Sequence, residues 1–133
     1  ELQAKFEQAL VHACPDLVIH GAGVPRLPQT SAVAFPGVNR QALFMRLDMD
    51  GVVCSTGSAC QSGSSEPSGV LVAMGLEKEL IDSSLRFSWG ACTTSPHMAQ
   101  AAERIFRAYK ALRDATNLRK IAPADTGGRP ISL

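Results

Sequence analysis

The sequence predicts a two-layer α/β domain (α+β in the grouping of its elements), with a small antiparallel or mixed sheet and helices packed on one side. Three observations carry this expectation. Apolar residues recur at helical spacing near both ends of the chain. Short strand-like runs fall mostly between them. Residues 84–89 alternate strictly between apolar and polar.

The elements follow in order. Leu2, Phe6, Ala9, Leu10 and Ala13 share one stripe of a helix over Glu1–Ala13, which Pro15 stops. No capping residue precedes that pattern. The expectation is a chain cut from a longer protein, with a natural frayed end as the other reading. Leu17-Val18-Ile19-His20 is a short strand, and the Gly- and Pro-rich run from Gly21 to Pro28 is a loop. Ser31–Phe35 is a second strand, ended by Pro36-Gly37. Asn39 caps a helix reaching about Asp48, with Leu43, Phe44 and Leu47 on its buried face. Gly51-Val52-Val53-Cys54 reads as a third strand. Ser55 to Pro67 has no apolar periodicity, and its glycines and serines predict a mobile loop.

Ser68 is placed to cap a short helix through Val70, Leu71 and Met74, ended by Gly75. In the alternating segment Leu85, Phe87 and Trp89 share one face and Arg86 and Ser88 the other. Ser95-Pro96 reads as a cap followed by proline at the first helical position. Met98, Ala102, Ile105, Tyr109 and Leu112 give that helix its stripe, to about Asp114. The domain is expected over residues 1–118. Residues 119–133, rich in Pro, Gly and small polar groups, are expected to be a flexible C-terminal tail.

The 133 residues fit one domain, and 45% apolar against 19% charged residues is a globular composition. The net charge is +1, from 13 basic and 12 acidic residues, so nothing drives the chain toward nucleic acid or an anionic membrane. No apolar run approaches the roughly 20 residues that span a bilayer. The first residues lack the apolar stretch of a signal peptide. The cysteines, Cys14, Cys54, Cys60 and Cys92, form no CxxC pair, which argues against a zinc ribbon or a thioredoxin-type dithiol. Reduced thiols and a cytoplasmic setting are expected.

Two residues stand out chemically. Cys60 lies among Gly, Ser and Ala, with no apolar neighbour to bury it. Exposed thiols oxidise, so such a cysteine is either incidental or used, and the local pattern leaves both open. Arg86 faces away from the apolar layer. A guanidinium there either grips a carboxylate through two parallel hydrogen bonds or is an ordinary surface arginine.

A longer pattern includes both residues. It comprises Ser55-Thr56-Gly57-Ser58-Ala59-Cys60 with Ser62-Gly63, Glu66-Pro67-Ser68, Ala73-Met74-Gly75-Leu76, Leu85-Arg86-Phe87-Ser88-Trp89-Gly90 and Thr93-Thr94. Together these resemble the C-terminal part of the cysteine desulfurases, pyridoxal-phosphate enzymes of the class-V aminotransferase group. Arg26-Leu27-Pro28-Gln29-Thr30 and Phe35-Pro36-Gly37-Val38 match that family's upstream segment.

The resemblance implies the C-terminal small domain of a class-V aminotransferase fold. It implies that Cys60 is the catalytic nucleophile, taking sulfur from L-cysteine as a persulfide and leaving L-alanine. It implies that Arg86 binds the substrate carboxylate. The long serine-rich loop resembles the branch that supplies iron–sulfur assembly. That implies a sulfur-acceptor or scaffold protein as partner, and a Cys60 that can share a cluster on the scaffold. Family members are homodimers. Their Schiff-base lysine lies in a Ser-x-His-Lys segment, a context that none of Lys5, Lys78, Lys110 and Lys120 has. The cofactor-binding residues are therefore expected in an N-terminal large domain, none of them in this chain, and the fragment alone is expected to be inactive. The chain departs from the family at Gln29 and Ala32, where asparagine is frequent, and at Ala91-Cys92, where a larger or basic residue is common. The alternatives are a selenocysteine lyase or aminotransferase of the same fold, a non-enzymatic persulfide carrier, and a degenerate structural domain.

The remaining residues have blander readings. Cys14 and Cys54 read as core filler, and His12 and His20 as surface or core-edge residues. Cys92 and His97 supply too few ligands for a metal site. Gly21-Ala22-Gly23 lacks the fingerprint of a phosphate cradle. Arg104, Arg107, Lys110 and Arg113 read as a solvated helix face.

Overall fold

A computed structural model describes residues 1–56 and 69–121, with side chains as far as residue 118. Three strands form one antiparallel sheet in the order β1 (Val18–Ile19), β2 (Thr30–Ala34), β3 (Ser84–Ser88). The register sets Val18 opposite Ala34, Val33 opposite Leu85 and Thr30 opposite Ser88. Helices α1 (Leu2–Ala13), α2 (Arg40–Met49) and α5 (Ser95–Ile121) form the second layer. Helix α1 runs along α5, α2 packs on α5, and both α1 and α2 reach the sheet. Two short helices, α3 (Gly69–Ala73) and α4 (Lys78–Asp82), pack against each other ahead of β3.

The core fills the space between the layers. Phe6 and Leu10 of α1, Leu43 and Leu47 of α2, and Ile105 and Tyr109 of α5 meet Val33, Leu85 and Phe87 of the sheet. Each such side chain contributes roughly 1.5–3 kcal/mol when taken from water. The Phe6 and Phe87 rings lie 5.5 Å apart, as do those of Phe35 and Tyr109. The Tyr109 hydroxyl donates to the Pro36 carbonyl at 2.7 Å, which satisfies the one polar group of that buried ring. The two-layer arrangement with helices on one side agrees with the sequence reading. No helix among the described residues is long and apolar enough to cross a membrane.

Several local readings are corrected. Gly51–Cys54 is not a strand. The Gly51 N–H bonds to Asp48 and the Val52 N–H to Leu47 at 2.8 Å, while Gly51 takes φ +80°. This is a Schellman ending for α2, in which Val52 and Leu47 are both buried. Backbone spent on closing a helix is not available for a ladder. Ser55, beyond this run, bridges to Arg86 of β3. Helix α4 was not expected from the sequence.

The cap of α5 also sits one residue earlier than expected. The His97 N–H donates to Thr94 Oγ1 at 3.4 Å, and the Thr94 N–H donates to His97 Nδ1 at 3.1 Å. Thr94 and His97 thus close a reciprocal capping box, and Ser95 is already helical. At its other end α5 continues past Asp114 to Ile121. Its stripe fades there, but no helix breaker occurs before Pro123. Residues 122–133 lie outside the described residues, as does Ser68.

Candidate functional site

Residue 86 lies on β3, the outer strand of the sheet. The Ser55 N–H donates to the Arg86 carbonyl at 2.9 Å, and the Arg86 N–H donates to Ser55 at 2.8 Å. Arg86 Nη2 lies 3.5 Å from Ser55 Oγ. As alternation predicts, Leu85 and Phe87 are buried, whereas Arg86 and Ser88 are exposed on the opposite face. None of the ion pairs among the described residues involves Arg86. Its cross-strand neighbour Ala32 is small, and the Thr30–Ser88 pair brings two hydroxyls within 3.2 Å on the same face. The arrangement is a guanidinium on an open face beside hydroxyl groups, suited to a carboxylate.

His20 belongs to the same face, which the sequence reading missed. Its N–H donates to the Ala32 carbonyl at 2.9 Å, extending β1 by one residue beside the Ala32–Arg86 pair. The ring is buried, and Nε2 donates to Ser84 Oγ at 2.8 Å. Ser84 Oγ itself donates to the Leu80 carbonyl at 2.5 Å. Burial without a counter-charge holds the imidazole below its ordinary pKa. Alternation along Val18-Ile19-His20 is the only sequence signal for this placement, and the run is too short to read with assurance.

A brace holds the loop that feeds β2. Arg26 donates to both oxygens of Glu7, at 2.6 and 2.9 Å, and Ser31 Oγ donates to Glu7 Oε1 at 2.6 Å. Burial opposes the Glu7 charge, but the bonds from Arg26 and Ser31 outweigh it and hold the carboxyl below its ordinary range. Gln3 adds hydrogen bonds to the Leu27 and Thr30 carbonyls, at 2.9 and 2.7 Å.

Cys60 lies outside the described residues, so the structure brings nothing to it. Of the other cysteines, Cys14 and Cys54 are half-buried against the core and Cys92 is exposed. Burial raises the pKa of Cys14, which disfavours its thiolate. No group of three potential metal ligands occurs among the described residues. The basic helix face is partly engaged: Arg113 pairs with Asp16 at 2.7 Å, Arg107 pairs with Glu103, and Lys110 lies over Phe106.

The three-stranded sheet with helices behind it is a fold shared with solved proteins. A NifS-like protein from Rickettsia africae ESF-5 matches 85% of this chain with a TM-score of 0.63 and 26% identity, the match covering 27% of that protein. In sequence the chain is similar to part of the cysteine desulfurases. A cysteine desulfurase of Trichormus azollae is 38% identical over 102 residues, which is 77% of this chain and 26% of that relative. The putative cysteine desulfurase IscS 1 of Bacillus subtilis (strain 168) is 39% identical over 111 residues, 83% of this chain and 29% of the relative. The chain thus spans about a quarter of the length of the curated relatives it matches. No family model matches it.

Proposed function

We propose that residues 1–118 are the C-terminal small domain of a cysteine desulfurase that takes sulfur from L-cysteine and leaves L-alanine. Arg86 holds the substrate carboxylate. The Cys60 thiolate bonds to the substrate sulfur as the carbon–sulfur bond breaks, and it keeps that sulfur as a persulfide. A thiol of a sulfur-acceptor or iron–sulfur scaffold protein then takes the sulfur by exchange. The intact enzyme works as a homodimer in the cytoplasm.

The observation that carries this reading is the Ser55–Arg86 bridge. It anchors Ser55, which precedes Cys60 by five residues in the sequence, on the residue assigned to the substrate. An extended chain spans at most about 3.6 Å per residue, which keeps the Cα of Cys60 within about 18 Å of the Ser55 Cα. The covalent chain therefore lets one thiol work near Arg86 and also beyond it.

Members of the family use pyridoxal phosphate, and the described lysines do not fit its Schiff base. Lys5 pairs with Glu1 at the surface, Lys78 pairs with Asp82, and Lys110 sits exposed above Phe106. The cofactor is assigned to an N-terminal large domain.

The test uses the complete enzyme. Cys60→Ala is expected to abolish sulfur release while the cofactor's absorption stays unchanged. Arg86→Gln is expected to raise the KM for L-cysteine tenfold or more, because a charge-assisted pair contributes about 1.5–3 kcal/mol. Undiminished sulfur release by Cys60→Ala would remove that residue from the reaction.

A further inference from the structure

The free edge of β3 leads to a second place where this chain can hold a ligand. In an antiparallel ladder backbone groups alternate in direction. Ser55 takes both backbone groups of Arg86 on the outer edge, so those of Leu85 and Phe87 turn toward β2 and those of Ser88 turn outward. Continued pairing would bring residue 53 to Ser88. Instead the ending of α2 draws Val52 back to Leu47, and Val53 is left 85% exposed. By the same alternation Thr30 and Ser88 face each other as a non-hydrogen-bonded pair, and among the described residues no strand lies beyond Ser88 to take its N–H and carbonyl.

Ser88 lines a cleft of about 350 Å³. That falls within the range of ligand sites, roughly 300–1,000 Å³. Phe6, Phe87 and Met98 form an apolar floor, and Trp89 forms a half-buried wall. Among the described residues, the charged and titratable side chains that line it are His97 and Arg104, and no carboxylate does. His97 Nδ1 accepts from the Thr94 N–H at 3.1 Å, so Nε2 carries the ring proton and is a donor. Arg104 Nη1 donates to the Asp50 carbonyl at 3.3 Å, which steadies its guanidinium at the rim. None of the ion pairs among the described residues uses Arg104.

We propose that this cleft binds an extended, carboxylate-bearing peptide segment of a partner protein. The unpaired backbone at Ser88 accounts for the extended form, since a strand added there completes the ladder. The cationic rim, which has no carboxylate among the described residues, accounts for the acid. The segment lays an apolar side chain on Phe87 and Trp89 and sets its carboxylate against Arg104 and His97 Nε2. The proposal stands on the cleft alone and does not depend on the desulfurase reading.

The test is a nuclear magnetic resonance titration of the 133-residue chain. Three probes are used: acetyl-Thr-Val-Asp-Val-Thr-amide, its Asn counterpart, and acetyl-Thr-Val-Thr-Val-Thr with a free C-terminal carboxylate. Shift changes are expected to centre on Ser88, Trp89, Thr93 and Arg104. At least one acidic probe is expected to bind tenfold or more tightly than the Asn peptide. The stronger acid shows whether a side-chain or a terminal carboxylate is read. Arg104→Gln is expected to abolish that advantage without shifting the thermal midpoint. Equal binding of both acidic probes and the Asn peptide, changes centred elsewhere, or no binding overturns the proposal. Concentration-dependent changes at Ser88 without peptide overturn it as well, because a second copy then fills the cleft.

Discussion

Burial without a counter-charge makes His20 a source of pH dependence. Its folded pKa lies below the unfolded value of about 6.5. The folded state therefore binds fewer protons than the unfolded chain. Stability is fully present above that unfolded value and is lost as pH falls through the folded one. Urea unfolding at pH 7.5 and 5.5 should show the chain weaker at the lower pH. His20→Gln keeps a donor for Ser84 but cannot charge, so it should reduce that difference. An unchanged difference in the variant would move the effect elsewhere. The sequence did not show this residue as buried, because a strand of two residues gives too little alternation to place the next one. The face that Arg86 takes was legible, since three apolar residues at every second position fix it whatever packs behind them. Cys60 was legible only as a chemical oddity, and its assigned role comes from resemblance.

Helices and strands were read well where an apolar stripe decides them, and less well where backbone bonds decide. The Asn39 cap was predicted and is present, with Oδ1 accepting from the Gln41 and Ala42 N–H groups at 2.9 and 3.1 Å. Gly51–Cys54 looked like a strand because its valines suit one, yet the helix ending at positive φ takes their backbone first. Ser95-Pro96 looked like a helix start for a sound reason, and Thr94 still holds the cap because His97 answers it. The capping box gives a discriminating prediction. Thr94→Ala should destabilise the chain by about 1 kcal/mol, and Ser95→Ala by a few tenths at most. Thermal unfolding of the two variants checks it. A larger loss from Ser95→Ala would restore the cap to where the sequence alone put it. Helix α4 carried no clear signal, since five residues are too few for helical periodicity to show.

At the scale of the molecule, the core is separable from the chemistry proposed for the complete enzyme. Elements from residue 2 to beyond residue 100 share one core, and Phe6 of the first helix stacks near Phe87 and Trp89 of the last strand segment. Long-range closure of this kind makes unfolding cooperative. The chemistry is not closed in the same way. The chain matches about a quarter of its relatives' length, and the described lysines sit on the surface with partners of their own. The 133-residue chain should therefore unfold in a single transition and yet release no alanine from L-cysteine, even with pyridoxal phosphate added. Calorimetry, with equal calorimetric and van't Hoff enthalpies, checks the first half. An alanine assay beside the complete enzyme checks the second. Alanine production by the short chain at the complete enzyme's rate would mean that a Schiff-base nitrogen lies within these residues, against the division of labour proposed for the two domains.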